Sequence, residues 1–243
     1  MKTILAALLL VPALSWAASA KVQLERAPIN LHDKVSLQRG AQIFVNHCLS
    51  CHSATVMRYS RLTDFGLTEQ QIKDNLLLTA DKVGEPMHAG METSVAKAAF
   101  GVVPPDLSLV GRSRGPDWLY TYMRSFYRDP QSKSGWNNTV FPNVAMPHVL
   151  WEYQGEQALQ VTERMDPNTG DVKRTSKLVI ERPGSLAPMA YDAQVADLVN
   201  YLAYISEPAQ TSRRLWGILV LFFLAGFFGL ALLLKNEYWK DVR

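Results

Sequence analysis

Two long apolar runs lie near the ends of the 243-residue chain, and neither contains a charged side chain. The first, Ile4–Trp16, follows Lys2 and precedes the small residues at 18–20. A basic start, a short apolar run and a small-residue cleavage site are typical of a secretory signal peptide. We therefore predict a signal peptide over 1–20, rather than an uncleaved anchor or a buried helix, and export to an oxidising compartment.

The second run, Leu215–Leu234, is long enough to cross a membrane. Its twenty uncharged residues, at 1.5 Å per residue, span about 30 Å, the thickness of the hydrocarbon core. Side chains typical of membrane interfaces flank it: Arg213, Arg214, Lys235, Tyr238, Trp239 and Lys240. We predict a single-pass anchor over 211–235 in a bacterial inner membrane. The signal peptide places the domain, 21–210, on the periplasmic side and the short tail, 236–243, in the cytoplasm.

Between these ends, apolar residues recur at helical spacing in several stretches. The first predicted helix has Ser36 as its N-cap and leads directly into 47–52. Its apolar face is Leu37, Gly40, Ala41 and Phe44. Further helices are predicted over 68–77, 95–100, from Pro116 to a stop at Asp129-Pro130, and over 192–206 with a stop at Pro208. The segments 104–106 and 131–148 are predicted to be loops.

One segment, 157–180, has the alternating pattern of strands instead. Leu159 and Val161 precede the turn sequence at 166–170, and Leu178 and Ile180 follow it. This pattern predicts a two-stranded hairpin, which is marginal by itself and must lean on the domain or on a partner. The predicted fold class is therefore mainly α, with a small β-hairpin excursion and one C-terminal transmembrane helix.

Charge excludes one class of function. The predicted domain, 21–210, carries 19 basic and 20 acidic residues, so the excess of basic residues lies beside the apolar runs. A nucleic-acid-binding domain would carry a basic patch of its own. We therefore expect no nucleic-acid partner.

The residues Cys48-Leu49-Ser50-Cys51-His52 form the C-x-x-C-H sequence to which c-type haem is attached. The two cysteine sulfurs add to the two haem vinyl groups, and the histidine ligates the iron from the proximal side. A redox dithiol or half of a zinc site is the alternative. The chain has only two cysteines and lacks the βαβ pattern of a thioredoxin, so one covalent haem c is the prediction.

The sixth iron ligand is less obvious from the sequence, because histidine or methionine can fill it. Met146, in Val144-Ala145-Met146-Pro147, lies in a proline-constrained loop that can present a thioether to iron. The usual alternative for any methionine is a place in the core. The competing ligands are Met57, Met87, Met91, Met189, His88 and His148.

Several motifs resemble known proteins. Gly40 and Phe44, with Leu198, Tyr201 and Leu202, resemble the crossed first and last helices of class I cytochromes c. More specific matches resemble cytochrome c1, the haem subunit of the quinol–cytochrome c oxidoreductase (bc1) complex, over nearly the whole chain. They are Pro104-Pro105-Asp106-Leu107-Ser108, Arg112-Ser113-Arg114, Tyr127-Arg128-Asp129-Pro130, Ala145-Met146-Pro147 and the anchor after Glu207-Pro208.

The resemblance implies roles for individual residues. It implies Met146 as the sixth ligand and Arg112 or Arg114 as the partner of a haem propionate, a pairing that suits a guanidinium. The carbonyl of Pro104 or Pro105 is expected to accept the second ring N–H of His52 and so to orient it. The acidic insertion and extra cysteine pair of some family members are absent here, so the acceptor's docking surface is not implied.

The implied function is one-electron transfer. A Rieske iron–sulfur protein would reduce the haem, which would reduce a cytochrome c, beside a cytochrome b in a dimeric membrane complex. One alternative is the haem c subunit of a terminal oxidase or nitric oxide reductase, although those cytochromes typically carry an N-terminal anchor. The other is a haem sensor or peroxidase with an open sixth site.

Overall fold

The computed structural model describes residues 22–165 and 172–241, and it confirms a mainly helical fold. The α-helices are α1 (Lys34–Ile43), α2 (Glu69–Asn75), α3 (Thr93–Phe100), α4 (Val110–Ser113), α5 (Pro116–Arg124), α6 (Trp151–Gln154), α7 (Pro188–Ser206) and α8 (Gln210–Tyr238). The strands are β1 (Ala54–Arg58), β2 (Pro86–Met87), β3 (Phe126–Arg128), β4 (Trp136–Asn138), β5 (Gly155–Met165) and β6 (Val172–Pro183). They form three antiparallel pairs, β1–β2, β3–β4 and β5–β6.

The first helix begins at Lys34, three residues earlier than the predicted cap at Ser36 implies. Asp33 is the N-cap, and its carboxylate accepts a hydrogen bond from the backbone N–H of Ser36 at 3.0 Å. Ser36 itself is buried, where its hydroxyl accepts from Asn200 of α7 at 2.9 Å. Both residue types are good caps. The contact of Ser36 with α7 comes from tertiary packing, and the local sequence does not reveal it.

Helices α1 and α7 cross at Gly40, as the resemblance to class I cytochromes c predicted. A Cβ at Gly40 would lie 2.1 Å from the carbonyl oxygen of Asp197 and 2.7 Å from Cβ of Tyr201, so only glycine allows this approach. Arg39 and Asp197 form a bidentate ion pair at the same crossing, at 2.5 and 2.9 Å. The crossing fixes the orientation of α1 and therefore the position of the attachment sequence that follows it.

The helix that starts at Pro116 ends earlier than predicted. It stops at Arg124, and Phe126–Arg128 forms strand β3, which pairs with Trp136–Asn138. The predicted loop 131–148 therefore contains a short strand, β4. Phe126 lies within the predicted helix, but in the structure it is buried as part of a strand. The pairing partner lies about ten residues away in a segment without periodicity, so local patterns did not show it.

The β5–β6 hairpin confirms the predicted two-stranded ribbon. Eleven residue pairs join the strands, from Gly155 opposite Pro183 to Met165 opposite Val172. At its base, Glu156 accepts hydrogen bonds from Arg128 at 2.9 Å and from Arg182 at 3.3 Å. Its predicted turn, 166–170, lies outside the described residues. The ribbon thus leans on the domain at its base through β3.

The last helix, α8, contains an apolar stretch from Leu215 to Tyr238 with a mean hydropathy of 2.7 and no buried part. Its length and composition suit a membrane span, which agrees with a membrane-anchored protein. The helix starts at Gln210, directly after the predicted stop at Pro208. The predicted signal peptide, 1–20, lies outside the described residues.

Candidate haem site

The attachment sequence continues from α1 through one turn of π-helix, Phe44–Cys48. Such wide turns occur mostly as single bulges at functional sites. The backbone N–H groups of Cys51 and His52 both donate to the carbonyl of Cys48, at 3.0 and 2.8 Å, and curl the motif into a compact turn. The motif is therefore held by the buried end of α1, with Phe44 as part of the core.

Both cysteines are free thiols. Cys48 is buried, and burial, followed by the charge of Cys51, raises the pKa of its thiol to about 12. A redox dithiol needs the opposite, a thiol whose pKa is lowered so that the thiolate is available at neutral pH. Cys51 is half-buried and lies at the edge of a cavity. This arrangement disfavours the dithiol alternative.

His52 has one ring nitrogen already engaged. Its Nδ1 lies 2.8 Å from the carbonyl oxygen of Pro105. Because a carbonyl only accepts, Nδ1 carries the proton, and Nε2 keeps its lone pair for a metal. Burial lowers the pKa of the imidazole, against smaller opposite effects of Pro105 and Asp106, and so favours the neutral ring that ligates metals.

The loop that carries Pro105 is fixed by Asp106, a residue whose role the sequence did not reveal. Its carboxylate accepts from the backbone N–H and hydroxyl of Thr55, at 2.9 and 2.8 Å, and from the backbone N–H of Ser108 at 2.8 Å. Burial alone would raise the pKa of Asp106, but hydrogen bonds from Ser108 and Thr55 outweigh it and lower the pKa. The Pro-Pro-Asp-Leu-Ser motif thus holds in place the Pro105 carbonyl, which accepts the hydrogen bond from His52.

Met146 is half-buried and packs against the core, and its sulfur has a polar partner. The hydroxyl of Tyr122, on α5, donates to Sδ of Met146 at 3.3 Å. Tyr122 lies within the helix predicted from Pro116, and the sequence alone indicated no role of its own for it. No local signal in the sequence joins two residues that are 24 positions apart.

Two buried asparagines shape the loop 139–150, which carries Met146 and is called the methionine loop below. Oδ1 of Asn138 accepts from the backbone N–H groups of Val140 and Phe141, at 2.8 and 3.2 Å, while its Nδ2 donates to the carbonyl of Tyr122 at 2.8 Å. Oδ1 of Asn137 accepts from the N–H of Asn143 at 2.8 Å. Sequence reasoning missed both residues. The available signal was an asparagine pair before a proline-containing loop, a pattern typical of turns.

The two candidate arginines have different neighbours. The guanidinium of Arg114 lies over the ring of Trp118, 5.0 Å from its centroid, and Trp118 stacks on Tyr122 at 4.7 Å. Arg112 instead extends toward Glu207, with its Nη1 3.9 Å from the carboxylate. The structure thus groups Arg114, and not Arg112, with Trp118, Tyr122 and Met146.

The competing ligands occupy different environments. Met57 and Met87 are core residues, and Sδ of Met87 accepts from the hydroxyl of Tyr201 at 3.4 Å. His148 is 1% exposed, stacks on Phe126, and pairs its Nε2 with Gln154 at 2.7 Å. Met189 is 85% exposed on the surface. The remaining candidates, His88 and Met91, line the cavity beside Cys51.

That cavity has a volume of about 540 Å³, within the usual range for cofactor pockets. It is lined by Cys51, Ser53, His88, Ala89, Met91, Glu92, Thr93, Ser94, Ala96, Val103 and Pro104. Neither His52 nor Met146 lines it, so it opens on the cysteine side of the site.

The residues present fit a haem c. They offer two unpaired thiols at the attachment spacing, an imidazole whose Nε2 is available, and a thioether in a loop held by asparagines. This is the donor set of a low-spin electron-transfer haem.

Comparison with known proteins extends these observations. Residues 24–174 match the model of the Cytochrome C1 family. A cytochrome c1 from Allochromatium vinosum is 47% identical over 97% of this chain and 96% of its own length. A protein from Nitrosomonas europaea named ammonia monooxygenase gamma subunit is 48% identical over 99% of this chain and 98% of its own. A Rhodospirillum rubrum cytochrome c1 is 26% identical over 87% of this chain and 84% of its own length.

Proposed function

Because the chain belongs to the cytochrome c1 family, the haem subunits of bc1 complexes, we propose that it relays single electrons from a Rieske iron–sulfur protein to a cytochrome c. The observation that carries this proposal is His52 within the attachment sequence, with Nδ1 held by Pro105 and Nε2 left for iron. The name of the Nitrosomonas relative suggests a second candidate, association with an ammonia monooxygenase. The match to the family model favours the first.

We propose that Cys48 and Cys51 would hold one haem by thioether bonds, with His52 and Met146 as the protein ligands of its iron. When bound, the haem would supply a reversible one-electron iron couple. A methionine ligand together with a histidine ligand would raise the reduction potential, which suits a carrier. Both protein ligands would stay bound in both oxidation states, so the surrounding residues need little rearrangement.

Two further residues complete the proposed site. The carbonyl of Pro105 orients the His52 imidazole by accepting a hydrogen bond from Nδ1–H. Arg114 is the better candidate for a propionate partner, because it shares the cluster of Trp118 and Tyr122 with Met146. Arg112, near Glu207 at the start of the anchor, is the weaker candidate.

The proposed location follows from the two ends of the chain. A signal peptide over 1–20 would export the domain, and α8 would keep it at the periplasmic face of the inner membrane. There it would lie beside a cytochrome b and a Rieske protein in a dimeric complex. The position of the apolar helix α8 after the domain disfavours the haem subunit of a terminal oxidase or nitric oxide reductase. Met146 as a sixth ligand would disfavour a sensor or peroxidase.

Copurification tests this function. The full chain, tagged at its C-terminus and solubilised with mild detergent, is expected to bring down a cytochrome b and a Rieske protein. Recovery of oxidase, nitric oxide reductase or ammonia monooxygenase subunits instead would contradict the proposal. In the same preparation, the reduced haem is expected not to bind carbon monoxide rapidly. Rapid binding would indicate an open sixth site, as in a sensor or peroxidase.

A further inference from the structure

The Met146 sulfur has a polar contact that ligation of iron does not explain. The hydroxyl of Tyr122 lies 3.3 Å from Sδ. A thioether sulfur has two lone pairs and accepts hydrogen bonds weakly. One lone pair can bind iron while the other accepts from the tyrosine. The contact is therefore compatible with the proposed ligand role of Met146.

Tyr122 is held firmly enough to direct its hydroxyl. It is 8% exposed, with its ring stacked on Trp118 at an interplanar angle of 11° and edge-on to Phe126 with centroids 5.0 Å apart. Its backbone carbonyl accepts from Nδ2 of Asn138, the residue that also fixes the start of the methionine loop. Asn138 thus holds both Tyr122 and the methionine loop.

We propose that Tyr122 is a positioning residue for the axial ligand, and that its O–H···S hydrogen bond both orients the Met146 thioether and raises the reduction potential. This inference rests on the proposed function, because it takes Met146 as the iron ligand. Tyr122 does not touch the iron and acts only through the sulfur.

The direction of the effect follows from charge. The hydroxyl hydrogen carries partial positive charge and points at an atom bound to iron. Oxidation adds a positive charge at the iron, so this hydrogen disfavours the ferric state relative to the ferrous state. Hydrogen bonds to ligand atoms are among the means by which proteins tune haem potentials. Removal of the hydroxyl is therefore expected to lower the midpoint potential.

The chain offers a chemically matched control. The hydroxyl of Tyr201 donates to Sδ of Met87 at 3.4 Å, inside the core. Tyr122→Phe and Tyr201→Phe each delete one buried O–H···S contact and leave the ring in place. Both variants are compared with the unmodified holoprotein in detergent. The readouts are the potentiometric midpoint, the sulfur-to-iron charge-transfer band of the ferric haem, and the fraction of protein with low-spin haem.

The expected result is a lower midpoint for Tyr122→Phe with the charge-transfer band retained, and no shift for Tyr201→Phe. An unchanged midpoint in Tyr122→Phe, or equal shifts in both variants, would overturn the inference. Met146→Leu separates this failure from failure of the ligand assignment. Loss of the band in Met146→Leu keeps Met146 as ligand whatever Tyr122 does. Retention of the band would overturn the ligand assignment and, with it, the inference.

Discussion

The two sides of the candidate haem site are built in different ways. The histidine side is one continuous segment, Cys48–His52, supported by the loop that carries Pro105. The methionine side is assembled from three places: α5 supplies Tyr122, β4 supplies Asn138, and the following loop supplies Met146. Covalent attachment of haem requires a fixed spacing of the cysteines and the histidine along the chain, whereas the sixth ligand can come from any segment that the fold brings close to the iron. The histidine side can therefore be recognised from the sequence, and the methionine side depends on the fold.

The largest expected effect lies on the histidine side. Replacement of Cys48→Ala together with Cys51→Ala removes both sulfurs that can form thioether bonds, so no covalent haem is expected. The measurement is haem staining of a denaturing gel after normal maturation. Met146→Leu is the matched control, since it changes the other side of the site and should keep the stain. A stained band in the double variant would refute attachment at these cysteines.

Met146→Leu is expected to have the next largest effect. Leucine fills a similar volume but offers iron no electron pair. The haem should remain attached, the reduction potential should fall, and the reduced protein should gain rapid carbon monoxide binding. Met91→Leu is the control, because Met91 lines the cavity beside Cys51. A lower potential and carbon monoxide binding in Met91→Leu, with no change in Met146→Leu, would reverse the assignment.

The same contrast explains what the sequence could and could not predict. The attachment motif, the α1–α7 crossing at Gly40, the hairpin and the anchor follow from spacing, periodicity, apolar length and resemblance. Ser36 is buried against a distant partner, Asn200, instead of capping α1, and strand β3 depends on its distant partner β4. Arg112 and Arg114 could not be separated, because residues two apart on a helical turn face different directions. Only the neighbours, Glu207 and Trp118, distinguish them.

A substitution that loosens the methionine loop should affect the haem site less than Met146→Leu does, and mainly on the methionine side. Asn138 is 1% exposed, and Asn138→Ala leaves two backbone N–H groups, those of Val140 and Phe141, without their acceptor. It also removes one of the two donors to the Tyr122 carbonyl, which keeps the N–H of Ser125. An unsatisfied buried group costs roughly 1–3 kcal/mol, so the free energy of unfolding should fall by at least about 2 kcal/mol. We expect the haem to stay attached and carbon monoxide binding to rise. Denaturant unfolding of the holoprotein in detergent measures the stability.

Asn75→Ala is the control for this change, because Asn75 is exposed and donates to one carbonyl within its own helix, that of Gln71. It should lower stability by about 1 kcal/mol or less. If Asn138→Ala behaved like Asn75→Ala, then the loop would not depend on its buried asparagine.

The smallest expected effect is on the loop that supports His52. Asp106→Ala removes three hydrogen bonds, two from Thr55 and one from Ser108, but Asp106 is exposed and water can replace them. The free energy of unfolding should therefore fall by only about 1 kcal/mol. Asp74→Ala, which removes one exposed contact with Gln70, is the control. Because water can replace the lost contacts and the Pro105 ring still restricts its backbone angle φ, the His52 contact should survive. The reduction potential should therefore change less than in Met146→Leu. A change as large as that of Met146→Leu would mean that the histidine side also depends on distant contacts, and the contrast between the two sides would fail.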